Sequence, residues 1–238
     1  MAKVFLSAGH GGSDPGACAN GLVEKTINLN TLLTCRSELV RHGVTVVASR
    51  TSDANDPVQE EVQEANLSGA DIVVSFHANA GGGDGFEAYY WSSDSNGRRL
   101  AQLGEKYVKQ LGQNSRGCKA GDHLMFVRET HATAVLFESF FLDNYADKAI
   151  GDTVAEQKAF GVAYAKAILE YLGIAYKSAT ATTKKDEVLS MEKSELATTI
   201  WGYTNKNLEK VDAYQILRDI RDEVVELRKE VAALKEAK

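Results

Sequence analysis

The sequence predicts an α/β fold: a twisted, largely parallel sheet flanked by helices on both faces, followed by a C-terminal helical coiled-coil tail. Short apolar stretches alternate with segments of helical periodicity through about residue 175, which is typical of a layered parallel sheet. A heptad pattern near the C-terminus predicts the tail. The composition, 44% apolar and 25% charged, excludes a disordered chain over most of the length.

Each element of the main domain follows from its local pattern. The strands are short apolar runs, whereas the helices repeat apolar side chains every three or four residues. Gly43 and Gly173 are natural helix stops, and Glu60 and Glu61 suit the first turn of a helix. The predicted strands cover residues 4–6, 44–48, 71–77, 86–91, 124–127 and 134–142, and the predicted helices cover residues 24–42, 57–67, 96–111 and 154–172.

The chain divides into three predicted parts. Residues 1–175 form the main domain, residues 176–200 lack apolar periodicity and form a linker, and residues 201–238 form a helical tail. Val at position a with Leu at position d favours a parallel dimer, so we expect a homo-oligomer. The alternative is an amphipathic helix that folds back on its own domain. The heptad seam consists of Leu217, Ile220, Val224, Leu227, Val231 and Leu234.

Charge and hydropathy exclude several classes of partner. The net charge is −6, and residues 1–175 carry all of it, with 15 Lys or Arg and 21 Asp or Glu. An acidic domain argues against nonspecific binding to nucleic acid or to anionic membranes. No apolar run approaches the roughly 20 residues that a membrane-spanning helix needs. The N-terminal apolar stretch is too short for a signal peptide, so we expect synthesis in the cytoplasm.

Three apolar strands lead into residues that are costly to bury. The first is followed by His10, the third ends at His77, and the last predicted strand contains Glu138 among phenylalanines. Active sites of open α/β sheets lie beyond the carboxyl ends of strands, so these side chains are expected to converge. Two histidines and a carboxylate can bind a catalytic zinc ion, and Glu24, at the start of the first predicted helix, is the natural third ligand.

Each of these residues also has an ordinary structural interpretation. A histidine beside glycines is often a turn residue, which is the alternative for His10. Glu24 alone is a first-turn acid that stabilises its helix by about half a kcal/mol. His77 alone can form a hydrogen bond within the sheet. From spacing alone the metal site is therefore a hypothesis. The competing explanation, in which each residue has an ordinary structural role, requires three independent coincidences.

Four segments of the chain carry a recognisable pattern. They are Leu6-Ser-Ala-Gly-His-Gly-Gly-Ser-Asp-Pro-Gly-Ala17, Gly21-Leu-Val-Glu-Lys-Thr-Ile-Asn28, Val74-Ser-Phe-His-Ala-Asn-Ala80 and Ala134-Val-Leu-Phe-Glu-Ser-Phe-Phe-Leu-Asp-Asn144. Together they resemble, in order and spacing, the four blocks of the zinc-dependent N-acetylmuramoyl-L-alanine amidases (Amidase_3), and Arg50-Thr-Ser-Asp53 resembles an intervening block. The resemblance covers about residues 1–173, and the chain looks most similar to the catalytic domains of bacteriophage endolysins.

The resemblance implies a mechanism and a substrate. His10, Glu24 and His77 would bind one zinc ion per catalytic domain, and Glu138 would be the catalytic general base and acid. The bond cut would be the amide between N-acetylmuramic acid and L-alanine of the stem peptide in peptidoglycan. The enzyme would then act on the bacterial cell wall after its release from the cytoplasm.

Further residues are candidates for substrate binding. Asn79 fits the family's His-Ala-Asn sequence, Arg116 can pair with a stem-peptide carboxylate, and His131 lies on a predicted loop. Two other functions remain open from the sequence. One is a zinc peptidase or amidohydrolase that acts on another amide, and the other is a non-catalytic scaffold that binds the wall.

Overall fold

The computed structural model describes residues 2–178, which contain eight strands and six helices. The strands are β1 Lys3–Ala8, β2 Cys18–Ala19, β3 Leu22–Val23, β4 Thr45–Ala48, β5 Ile72–Asn79, β6 Phe86–Tyr90, β7 Ser115–Ala120 and β8 Thr133–Phe141. The helices are α1 Glu24–Arg41, α2 Val58–Ser68, α3 Ser95–Lys109, α4 Met125–Glu129, α5 Tyr145–Gly151 and α6 Val154–Tyr171.

Six of the strands form one sheet, in the order β4-β1-β5-β8-β6-β7, while β2 and β3 form a separate hairpin. Strands β4, β1, β5 and β8 are parallel to one another. Strand β6 runs antiparallel to β8, and β7 is parallel to β6. The predicted α/β class with a largely parallel sheet is confirmed. The antiparallel pair of this sheet is β8 and β6.

Helices cover both faces of the sheet, as predicted. Helices α1, α3 and α6 pack together on one face, and α2 and α4 pack together on the other. Strand β1 shows why two cores form, because successive side chains of a strand point to opposite faces. Val4 and Leu6 belong to the larger core under α1 and α6. Phe5 belongs to the smaller core, with Val62 of α2 and Phe126 of α4.

In the region 112–130, one predicted strand is wrong and one strand was missed. The strand predicted at residues 124–127 is the short helix α4, whose Phe126 and Val127 are buried. Four apolar residues cannot distinguish a strand from one helical turn by periodicity. Strand β7 was not predicted, because its sequence from Ser115 to Ala120 has no apolar alternation. It lies at the edge of the sheet, where a strand needs fewer apolar side chains.

The sequence tail falls outside this description. The helical tail predicted for residues 201–238 lies outside the described residues, as does the predicted linker beyond residue 178. The coiled coil and the domain limits therefore stay predictions. Within residues 2–178, no helix has the length and apolar character needed to cross a membrane.

Candidate metal centre and catalytic site

His10, Glu24 and His77 meet at one point, although 67 positions of sequence separate the two histidines. One potential ligand atom from each residue lies within 4.8 Å of the others. His10 Nε2 is 3.2 Å from one oxygen of Glu24, and His77 Nδ1 is 3.0 Å from the other. Two imidazoles and a carboxylate form a donor set suited to zinc, so these three residues fit a metal ion of that kind.

The backbone around His10 is shaped to bring the ligands together. His10 follows β1 and has φ 66°, a left-handed conformation that non-glycine residues rarely adopt outside functional turns. A Cβ on Gly9 would lie 2.1 Å from His77 Cε1. A Cβ on Gly16 would lie 2.6 Å from a Glu24 oxygen. Glycine at these two positions therefore leaves room for the ligand side chains.

Glu24 is the electrostatic centre of this group. It is the first residue of α1, is 5% exposed, and accepts hydrogen bonds from the backbone amides of Ala17 and Ala78. Burial opposes its ionisation, but hydrogen bonds from His10 and His77 outweigh burial and hold the pKa of Glu24 well below its ordinary value. Hydrogen bonding to Glu24 raises the pKa of His10 to about 9. The pocket thus strongly favours positive charge.

A hydrogen bond with Asp14 orients the His10 ring. Nδ1 of His10 lies 2.8 Å from the Asp14 carboxylate, so the opposite nitrogen, Nε2, faces Glu24. Carboxylates commonly fix the ring orientation of metal-binding histidines in this way. Asp14 comes from the same glycine-rich loop as His10 and therefore forms part of the same local unit.

Glu138 lies next to this group across the sheet. It is the register partner of His77 on the neighbouring parallel strand, so both side chains lie on the same face. Its Oε2 atom is buried and has no hydrogen-bond partner among the described residues. Burial raises the pKa of Glu138 to about 7, although the charge of His77 opposes that rise. A carboxyl group of this kind can exchange a proton near neutral pH.

Comparison with known proteins agrees with this geometry. Residues 4–170 match the family described as N-acetylmuramoyl-L-alanine amidase (Amidase_3). The chain belongs to this family. The predicted family resemblance and the predicted hydrolase class are therefore confirmed.

Named relatives show how far the similarity extends. The endolysin of Bacillus phage SPP1 is 37% identical over 204 residues, which cover 81% of this chain and 74% of the relative. The N-acetylmuramoyl-L-alanine amidase CwlM of Bacillus licheniformis is 37% identical over 188 residues, covering 74% of each protein. The solved catalytic domain of the amidase CwlV from Bacillus (Paenibacillus) polymyxa has TM-score 0.68 and 32% identity, and the match covers 74% of this chain and all of that one, 100%.

A cavity of about 250 Å³ opens beside the candidate metal ligands of this amidase. His10 and His77 line one side, and Leu124 and Met125 line another. Glu61 of α2 also lines it and is only 3% exposed; burial raises the pKa of this carboxyl group to about 7. From the sequence, Glu61 was expected only to be an acid in the first turn of a helix. Its four-residue spacing from the buried Ala65 was the available signal that it faces inward.

The three predicted substrate-binding residues do not share one place in the amidase. Asn79 Nδ2 donates to an oxygen of Glu87 at 3.2 Å, and Arg116 Nε donates to the other oxygen at 2.6 Å. Glu87 is the register partner of Glu138, so Asn79 and Arg116 reach the neighbourhood of the site. His131 is exposed and lines a separate cavity with Trp91. Its role in substrate binding stays a prediction.

Arg50 fastens the two ligand-bearing segments of the amidase together. It is 5% exposed, and its guanidinium donates to the carbonyl oxygens of Ala8 at 2.8 Å and Lys25 at 2.8 Å. A further hydrogen bond joins it to Ser52. Ala8 precedes the loop that carries His10, while Lys25 follows Glu24 on α1. One planar side chain therefore sets the separation between two of the three candidate ligands.

We expect Arg50→Lys to lower the free energy of unfolding by about 3 kcal/mol, because one ammonium group cannot satisfy these separate carbonyls. Metal affinity should fall about 10-fold or more, since the ligand spacing is no longer fixed. Denaturant unfolding and metal titration measure the two effects. Arg36→Lys, at an exposed position of α1, is the control. An unchanged unfolding midpoint in Arg50→Lys would contradict the role given to Arg50.

Proposed function

We propose that this amidase hydrolyses the amide between the lactyl group of N-acetylmuramic acid and L-alanine of the stem peptide. One zinc ion per domain, bound by His10, Glu24 and His77, and Glu138 as general base and acid provide the catalysis. The observation that carries the proposal is the 4.8 Å grouping of the three ligand atoms beside Glu138 in a chain of the amidase family.

The protein residues have distinct tasks in this reaction. Zinc, when bound here, supplies Lewis acidity that favours ionisation of water and polarises a carbonyl group. Glu138 accepts the proton of the attacking water and later donates a proton to the nitrogen of the leaving L-alanine. Its raised pKa, about 7, suits both transfers near neutral pH. Asp14 holds His10 in orientation throughout.

Substrate contacts extend to both sides of Glu138. The cavity lined by Leu124 and Met125 offers apolar surface beside the ligands. On the other side, Asn79 of β5 and Arg116 of β7 offer polar groups beside Glu87. We propose that peptidoglycan contacts both of these surfaces. His131 would contact substrate only if the glycan extended to the cavity that contains Trp91.

The biological setting we propose is phage-encoded lysis, in which the enzyme reaches the cell wall after release from the cytoplasm. The similarity to the SPP1 endolysin over 81% of this chain supports this setting. The main domain is acidic, and residues 176–238 are neutral overall, with 12 basic and 12 acidic residues. Electrostatic attraction therefore does not explain how the enzyme would reach the wall. Pairing of catalytic domains through the tail would supply avidity.

Digestion of purified peptidoglycan tests the proposed reaction. We expect new N-terminal L-alanine and no new reducing sugar. New D-amino-acid termini would instead indicate a peptidase, and binding without any new terminus would indicate the scaffold function.

The predicted dimerisation through residues 201–238 has its own test. We expect the full-length protein to sediment as a dimer and a fragment of residues 1–175 to sediment as a monomer, because the heptad seam is the contact. Analytical ultracentrifugation over a range of concentrations measures both. Monomers in both samples would contradict the coiled coil.

A further inference from the structure

One row of polar side chains crosses four strands of the sheet on the face of the catalytic site. His77 of β5 is the register partner of Glu138 of β8, which is in turn opposite Glu87 of β6. Directly opposite residues of an antiparallel pair present their side chains to the same face. Glu87 then accepts a hydrogen bond from Arg116 Nε of β7 at 2.6 Å. The row therefore runs from a ligand, through the general base, to an arginine.

Glu87 anchors cations at the far end of this row. It is 3% exposed and also accepts hydrogen bonds from Lys119 and from the Tyr89 hydroxyl, the latter at 2.7 Å. Burial alone would raise the pKa of Glu87, but hydrogen bonds from Lys119, Tyr89 and Arg116 outweigh burial and hold it below the ordinary value. Glu87 is thus a buried anion that two cationic side chains share.

The two cationic side chains remain accessible to a further ligand. The Arg116 side chain is 45% exposed and the Lys119 side chain is 37% exposed. Arg116 donates to Glu87 through Nε alone, and its terminal amino groups make no hydrogen bond within residues 2–178. The central guanidinium carbon also lies 5.4 Å from the centroid of the Phe141 ring, a cation–π contact that helps to hold the group in place. A fixed planar guanidinium with free amino groups binds a carboxylate through two parallel hydrogen bonds.

We propose that Arg116 and Lys119, anchored by Glu87, form a subsite for a free carboxylate of the stem peptide and set the preference of the enzyme among stem peptides. This inference rests on the proposed function. Around the scissile bond, the N-acetylated sugars are neutral and the lactyl carboxyl group is consumed in the amide. Only the peptide side offers an anion.

The distances of the sheet fit this assignment. Neighbouring strands lie about 5 Å apart, so β7 lies about 10 Å from β8, which carries Glu138. An extended peptide advances about 3.3–3.6 Å per residue. A carboxylate on the second or third residue of the stem therefore reaches the Arg116 guanidinium when the L-alanine amide lies at Glu138. The α-carboxylate of a γ-linked glutamate at the second position is the matching group.

Two synthetic muropeptides test the subsite with the full-length, zinc-loaded enzyme. They differ only at the second stem residue, which carries either a free α-carboxylate or its amide. We expect the wild type to prefer the free acid about 10-fold in kcat/KM, mainly through KM, as one charged hydrogen-bonding contact provides. In Arg116→Gln and in Lys119→Gln this preference should fall towards one. Arg36→Gln, at an exposed site on α1, should keep it.

The outcomes separate this inference from the proposed function. Equal cleavage of both muropeptides by the wild type would overturn the subsite but leave the amidase reaction intact. An unchanged preference in Arg116→Gln and Lys119→Gln would also overturn it. If the wild type produced new N-terminal L-alanine from neither muropeptide, the proposed function would be contradicted, and the subsite with it. Arg116→Lys keeps the charge without the planar group, so its preference should lie between those of Gln and wild type.

Discussion

Replacement of Glu138 by glutamine is expected to lower kcat about 10²- to 10⁴-fold, the range that a positioned general base and acid contributes. Glutamine has nearly the same shape but can neither accept the proton of water nor return one to the amine. Glu138 is not among the three proposed ligands, whose candidate ligand atoms lie within 4.8 Å of one another, so bound zinc should be unchanged. Steady-state cleavage assays and metal analysis of one preparation measure both quantities.

The stability of the Glu138→Gln protein separates a chemical role from a structural one. Because Glu138 Oε2 is buried without a hydrogen-bond partner among the described residues, loss of its charge should leave the unfolding free energy equal or slightly higher. Glu129→Gln is the matched control, since Glu129 is exposed on α4. Wild-type kcat in Glu138→Gln would show that the base lies elsewhere, and Glu61, which lines the cavity beside His10 and His77, would be the next carboxylate to examine.

Replacement of His10 by alanine is expected to abolish both zinc binding and activity. The two remaining ligands, Glu24 and His77, leave a site with too few protein donors for a catalytic zinc ion. Zinc present at 1,000 times its dissociation constant stabilises a protein by about 4 kcal/mol, so the variant should also lose the stabilisation that added zinc gives the wild type. Metal analysis and thermal unfolding with and without zinc measure these effects.

The control for this prediction is His131→Ala. His131 is exposed and lines the cavity that contains Trp91 rather than the ligand cavity. The control should bind zinc with wild-type stoichiometry. Full zinc content in His10→Ala would contradict the assignment of His10, whereas loss of zinc in both variants would indicate a different site.

The sequence was informative where a residue type and its surroundings conflict. Glu138 between Phe137 and Phe140 on a strand is costly without a compensating partner, which identified it before its position was known. The glycines around His10, and the order and spacing of the four motif segments, indicated the other candidates. These signals, together with the family resemblance, placed His10, Glu24, His77 and Glu138 as candidates, and the structure places the four side by side.

Other parts of the site left no signal in a single sequence. His77 was expected at the end of its strand, but β5 continues to Asn79. Glu138 lies within β8, as its predicted strand implied. Their convergence depends on the parallel register of β5 and β8, which residue spacing cannot reveal. Glu87 was not identified from the sequence. Side chains alternate between the two faces of a strand, so a glutamate between apolar residues is expected to face solvent unless the neighbouring strands are known.

Arg50 shows the same limit from another direction. The sequence block that contains Arg50 resembles the family's. The role of Arg50, however, depends on hydrogen bonds to the carbonyl oxygens of Ala8 and Lys25, and a sequence motif gives no information about backbone contacts. The coupling between His10 and Glu24 through one buried guanidinium is therefore a property of the fold. Long-range polar contacts of this kind are what the sequence alone could not supply.

Metal content and amide cleavage measured on the same preparation test the central claim most directly. We expect about one zinc ion per chain, loss of zinc and of the formation of new N-terminal L-alanine together after chelation, and recovery of both when zinc is returned. Cleavage at the wild-type rate by protein that has been shown to contain no metal would contradict the account.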